Sequence, residues 1–135
     1  MKPFLDTNVL VYAVLSDDPR RPTAEQLLAA GGTISVQVLN EFANVARGKL
    51  KRSWPDIEAM LTLVRSRSGR VRDLSILTHE AAIALARGHS LSFYDALIVA
   101  SAIEAGCDTL FTEDMQHGRA IGGLTIVNPF LERAS

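Results

Sequence analysis

The sequence predicts a three-layer α/β domain with a short, mainly parallel sheet flanked by helices, and three observations carry that expectation. Short apolar runs bounded by polar or turn residues recur at residues 4–5, 33–36, 71–74, 108–112 and 124–127. Longer segments with helical apolar spacing stand between them. One of these, residues 92–103, is apolar nearly all round and belongs in an interior.

The elements follow in order. Phe4-Leu5 ends at the carboxylate of Asp6, and residues 8–15 then read as a short, largely buried helix. Ser16-Asp17-Asp18-Pro19 is loop chemistry, and Ala24, Leu27 and Leu28 mark a helix over 22–30 that Gly31-Gly32 stops. After the strand at 33–36, Val38, Phe42 and Val45 recur at helical spacing, which carries a helix to about Arg47, with Gly48 as its expected stop. Trp54-Pro55-Asp56 opens another helix, with Pro55 in a favoured first-turn position. An alanine-rich helix covers 78–87. The interior helix begins at Ser92-Phe93-Tyr94-Asp95 and ends at Gly106, and two short strands close the chain.

Composition limits the function classes. With 135 residues, 47% of them hydrophobic, one core is expected, so residues 1–135 read as a single domain. Cys107 is the only cysteine, which excludes an intrachain disulfide and any argument for an oxidising compartment. No apolar run approaches the ~20 residues needed to cross a bilayer, and the N-terminus lacks the pattern of a secretory signal, so a cytoplasmic protein without a membrane partner is expected. The net charge of −1 excludes a uniformly positive surface. Two basic segments stand out, Arg47, Lys49, Lys51 and Arg52, then Arg65, Arg67, Arg70 and Arg72. They read either as solvated helix ends or as guides for a phosphate backbone.

Four acids need explaining. In open parallel sheets ligands bind beyond the carboxyl ends of the strands. Asp6 follows the first strand, Asp114 follows the strand ending near Thr112, Asp95 lies in the first turn of the interior helix, and Glu41 lies on the helix after the second strand. Each has a plainer reading: Asp6 as a helix cap, Asp95 as a partner in a capping box with Ser92, Glu41 as the solvated margin of an apolar stripe, Asp114 as loop chemistry. Together they predict carboxylates gathered at one sheet edge. Such a cluster repels itself unless protons or cations neutralise it, and oxygen-only ligands suit Mg²⁺ or Mn²⁺. The scattered His79, His89 and His117 offer no zinc spacing. Hard divalent ions serve phosphodiester hydrolysis, so the acids point to metal-dependent phosphoryl chemistry without naming a substrate.

These residues also carry a resemblance. Phe4-Leu5-Asp6-Thr7-Asn8-Val9-Leu10, Val38-Leu39-Asn40-Glu41-Phe42, Ser92-Phe93-Tyr94-Asp95-Ala96-Leu97-Ile98 and Leu110-Phe111-Thr112-Glu113-Asp114-Met115 together resemble PIN-domain proteins, in particular VapC-type toxins of bacterial toxin–antitoxin pairs. The resemblance spans essentially the whole chain. It implies an endoribonuclease using Mg²⁺ or Mn²⁺, with Asp6 and Asp95 touching the principal metal and Glu41 and Asp114 completing the site. Thr112 would orient the last acid or the attacking water. The implied partners are an RNA substrate, a cognate antitoxin and a second copy of the chain. Leu10, Val11, Tyr12 and Val14 read either as a dimer face or, more simply, as core.

Three other readings compete. A haloacid-dehalogenase-like phosphotransferase also places an Asp after its first strand, but it needs a second Asp where Asn8 stands. A receiver domain needs an acidic pair ahead of Asp6, and none is present. A PIN fold that binds RNA or a partner without cutting has no chemical need for all four acids.

Overall fold

A computed structural model describes residues 1–131. Its strands are β1 (Pro3–Leu5), β2 (Thr33–Ser35), β3 (Arg70–Arg72), β4 (Thr109–Phe111), β5 (Ala120–Ile121) and β6 (Leu124–Val127). The helices are α1 (Thr7–Leu10), α2 (Arg21–Ala30), α3 (Val36–Asn44), α4 (Trp54–Arg67), α5 (Ile76–His89) and α6 (Phe93–Glu104). α1 and α3 each run directly into a wide π-helical turn, Val11–Leu15 and Val45–Lys49.

The sheet order is β3-β2-β1-β4-β6-β5, parallel throughout except that β5 runs antiparallel to β6. From β1 the chain steps outward to β2 and β3, then returns across the sheet to β4 on the other side of β1. Right-handed crossovers place α1–α4 on one face and α5–α6 on the other. The reversal makes the gap between β1 and β4 a topological switch point, where open parallel sheets hold their ligands. The predicted three-layer α/β architecture is the one observed.

The core explains the composition of the interior helix. Ile98, Val99 and Ala102 face the main core with Phe4, Phe42 and Leu110, while Ala96, Leu97 and Ala100 meet Ala82 of α5 in a second cluster. Covered from two sides, α6 has to be apolar around most of its circumference. Leu10 is fully buried, and Val11, Tyr12 and Val14 pack against the main core, so the core reading of this stretch holds.

Three expectations change. Gly48 does not stop the third helix: it lies inside the wide turn, whose closing bond runs from Leu50 N–H to the Val45 carbonyl, and the chain leaves at Lys51 with φ 58°. The strand expected at 71–74 is Arg70–Arg72, and the following helix starts two residues early because Ser75 caps it through the Thr78 N–H. The β5–β6 hairpin was not expected. Its turn is Gly122-Gly123, with Gly122 at φ 60°, the left-handed conformation that tight hairpins need.

Candidate active site

The chain leaves β1 at Asp6, whose N–H is donated to the Phe111 carbonyl of β4, so the residue is pinned at the switch point. Asp6 is 4% exposed. One carboxylate oxygen accepts the Thr7 N–H at 2.7 Å, as a helix cap, and the other accepts the Thr112 hydroxyl at 2.8 Å. Thr112 is fully buried, and its oxygen accepts from Asn8 Nδ2 at 3.2 Å and from the Asp114 N–H at 3.0 Å. A hydroxyl has one proton and two lone pairs. All three are used by the protein, so Thr112 couples Asp6 to the Asp114 backbone and has no proton left to aim at a water.

The other acids are held in turn. Glu41 accepts the Thr7 hydroxyl at 2.6 Å on one oxygen and Gln37 Nε2 at 3.1 Å on the other. Asp114 accepts Asn8 Nδ2 at 3.0 Å, and Asn8 Oδ1 takes the Glu113 N–H. Ser92 caps α6 by accepting the Asp95 N–H at 3.3 Å. Among the described residues no reciprocal bond ties the Asp95 carboxylate to the Ser92 backbone, so the capping box is half-formed.

Asp6, Glu41, Asp95 and Asp114 line one open cleft of about 590 Å³. Burial pushes the Asp6 carboxyl up to about 7, with Glu41 and Asp114 adding to the shift and the Thr112 and Thr7 bonds opposing it. Burial also raises Asp95, followed by the charges of Asp114 and Glu41, against the Ser92 hydroxyl. The four acids therefore sense one another, and the cluster holds more negative charge than it can solvate. The histidines lie elsewhere: His79 stacks edge-on with Phe93, and His117 accepts the Asn128 N–H.

The donor set fits a hard divalent cation in chemistry. Each carboxylate oxygen retains a lone pair beyond its protein bond, and a cation relieves the repulsion that raises Asp6. Among the described residues no three acidic, histidine or cysteine groups converge on one point as they stand.

The wide turns shape the walls of the cleft. Asn8, Tyr12 and Ser16 line one side and Glu41, Val45 and Lys49 the other, each set at four-residue spacing. In a regular α-helix that spacing drifts around the axis. The longer i→i+5 closure, Ser16 N–H to Val11 and Leu50 N–H to Val45, keeps the third residue on the same face. Arg52 Nη2 donates to the Leu15 carbonyl and ties the ends of the two turns together. Lys49 is the one cation lining the cleft among the described residues.

The two basic segments separate. Of residues 47–52, Lys49 and Leu50 line the cleft, and Arg47 stacks 4.9 Å over Trp54. Arg70 instead donates to the Ala105 carbonyl at the opposite edge of the sheet, and Arg65 and Arg67 end the helix leading there. Thr7, Asn8 and Gln37 were missed as site residues. The signal for the first two was present in Asp6-Thr7-Asn8, but cap chemistry accounted for it equally well.

The profile of the PIN domain family matches residues 4–121. Among solved structures the chain is similar to VapBC2 from Rickettsia felis bound to a promoter DNA fragment, at 25% identity and TM-score 0.67, covering 93% of this chain and 97% of that one. It is similar to DNA-bound VapBC from Salmonella typhimurium at 25% identity and TM-score 0.61, covering 93% and 96%. The sarcin–ricin-loop-cleaving toxin VapC20 of Mycobacterium tuberculosis shares the fold at 23% identity and TM-score 0.69, covering 84% and 92%. No curated protein matches by sequence. The family match spans both strands that flank the switch point and all four acids beside it, and the chain belongs to the PIN domain family.

Proposed function

We propose that the protein is a Mg²⁺- or Mn²⁺-dependent endoribonuclease and the toxin half of a toxin–antitoxin pair, built as one PIN domain. The observation that carries the reading is Asp6: a buried carboxyl raised to about 7, with Glu41 and Asp114 contributing, at the floor of an open cleft. A cluster so charged is unfavourable for stability and has a use when cations and a phosphodiester occupy the cleft. The two VapBC assemblies at 25% identity support the toxin role and an antitoxin partner. A homodimer accompanies that role.

In this reading Asp6 and Asp95 hold the principal ion, while Glu41 and Asp114 hold a second ion or ordered water. An ion held by these residues would supply activation of a water and neutralisation of charge on the phosphate. Thr112 holds Asp6 by donating its hydroxyl proton and fixes the Asp114 backbone, so the first and last acids keep their separation. Asn8 holds the Asp114 carboxylate, and Thr7 with Gln37 holds Glu41. Lys49 at the rim attracts the RNA backbone, and unpaired RNA suits the cleft because its backbone bends into it.

The test is cleavage of end-labelled structured RNA with Mg²⁺, with Mn²⁺ and with chelator, beside an Asp6→Asn protein. Metal-dependent cutting lost by at least about a hundredfold in Asp6→Asn supports the assignment. A folded, metal-binding wild type that cuts none of several RNAs points instead to a binding module.

A further inference from the structure

The cleft continues past Glu41. A second hollow of about 460 Å³ adjoins it, lined by Gln37, Asn40, Glu41, Asn44 and Tyr94, and Glu41 and Asn44 belong to both. Its chemistry differs from that of the acid cleft, with three carboxamides and a phenol around the shared carboxylate. Gln37 is engaged with Glu41. Asn40 and Asn44 stand one helical turn apart on the exposed side of α3, and neither carboxamide has a hydrogen-bond partner among the described residues. Tyr94 is 60% exposed, yet its position is fixed from behind: its ring meets Phe93 edge-on at 5.5 Å, and Phe93 meets His79 at 5.6 Å.

We propose that this hollow is a nucleobase subsite, in which an unpaired base beside the scissile phosphate stacks on Tyr94 and is read by Asn40 and Asn44. The inference rests on the reading of the adjoining cleft as an RNA-cleaving centre. Unpaired bases are recognised by an aromatic ring under the base plane and by hydrogen bonds to the base edge. A carboxamide carries donors and an acceptor side by side and so matches a base edge bidentately. A single exposed tyrosine on a surface needs no explanation. This one faces unpaired amides across a hollow that opens directly onto the candidate phosphate site, and that combination is what a base requires. Tyr94 immediately precedes Asp95, so the helix start that aims the carboxylate also places the ring. Stacking supplies affinity for any base, and the two amides supply preference among bases.

The test is binding, so that it does not depend on turnover. The full chain, with Ca²⁺ replacing the catalytic ion, is titrated against a short end-labelled single-stranded RNA, and a single abasic nucleotide is then moved along the strand. At one position, loss of the base weakens wild-type binding by about fivefold to a hundredfold. Tyr94→Ala weakens binding to intact RNA by a similar factor and is indifferent to the abasic change there, whereas Tyr94→Trp keeps both effects. Asn40→Ala and Asn44→Ala flatten the differences among the four bases at that position. Tyr94→Ala binding intact RNA as wild type does, an abasic penalty of full size in that variant, or no RNA binding by wild type would each overturn the subsite. Binding with the expected signature but no cleavage in Mg²⁺ or Mn²⁺ would overturn the nuclease reading and leave the subsite standing.

Discussion

Asp6 works under two demands that pull its proton in opposite directions. Capping α1 and accepting the Thr112 hydroxyl favour the carboxylate, while burial and the charges of Glu41 and Asp114 favour the acid, and burial wins. Its folded-state value of about 7 lies above the ordinary 3.8. The folded chain therefore binds this proton more tightly than the unfolded chain does. In chelator, the contribution of Asp6 to stability should be complete below about pH 4 and fall as pH rises to about 7. Asp6→Asn should remove that slope, leaving a protein that melts higher than wild type at pH 8 but not at pH 4. Divalent metal competes with the same proton, so its stabilisation of wild type should grow from pH 5 to pH 8 and shrink in Asp6→Asn. Thermal melts with and without metal at both pH values check this, and a pH-independent metal shift would remove Asp6 from the site.

At the scale of elements, the two wide turns and α6 do most of the positioning. The wide turns return Ser16 and Lys49 to the cleft faces of α1 and α3, so helices of four and nine residues build walls longer than themselves. No residue type at 11–15 or 45–49 announces such a turn. Gly48 even suggested a stop, because a glycine after an apolar stripe ends a helix in many proteins. Beside these closures Arg52 donates to the Leu15 carbonyl, a contact between segments that neither segment's own sequence announces. In α6 the apolar run predicted burial on all sides, and Ala96–Ala102 are buried without a break. Ser101 is the exception in chemistry, since its buried hydroxyl oxygen has no partner among the described residues. Ser101→Ala removes that unpaired group and improves helix propensity, and should stabilise the protein by about 1 kcal/mol. A thermal melt raised by about 3–5 °C is the expected reading, and a lowered one would mean that the hydroxyl has a partner in solution.

For the whole molecule, topology turns separate acids into a site. Asp6 and Asp114 follow adjacent strands whose connections depart in opposite directions, and α3 and α6 add Glu41 and Asp95 to the same cleft. The same geometry divides the basic residues. Reversing charge at Lys49 and Lys51 should weaken RNA binding and lower its salt slope by about 0.7 for each phosphate left without a neutralising cation. Reversing Arg65 and Arg70, at the opposite edge, should change neither. Titrations at several salt concentrations check both variants, and an equal weakening in the two would mean that RNA covers both edges of the sheet.

The local sequence was enough to determine the layer architecture, the order of nearly all the elements and the burial of α6, because each rests on the period of apolar residues within one segment. It also singled out the four acids, because strand ends and helix starts can be recognised locally. The β5–β6 hairpin escaped because two-residue strands carry almost no periodic signal, although Gly122-Gly123 marked its turn. Only the tertiary structure decided that the Thr112 hydroxyl meets Asp6, that Asn8 bridges Thr112 and Asp114, and that Tyr94 opens beside Asn40 and Asn44. These pairings join residues far apart in the chain, and their geometry is set by how the strands and helices meet at the switch point. No pattern within a single segment carries that information.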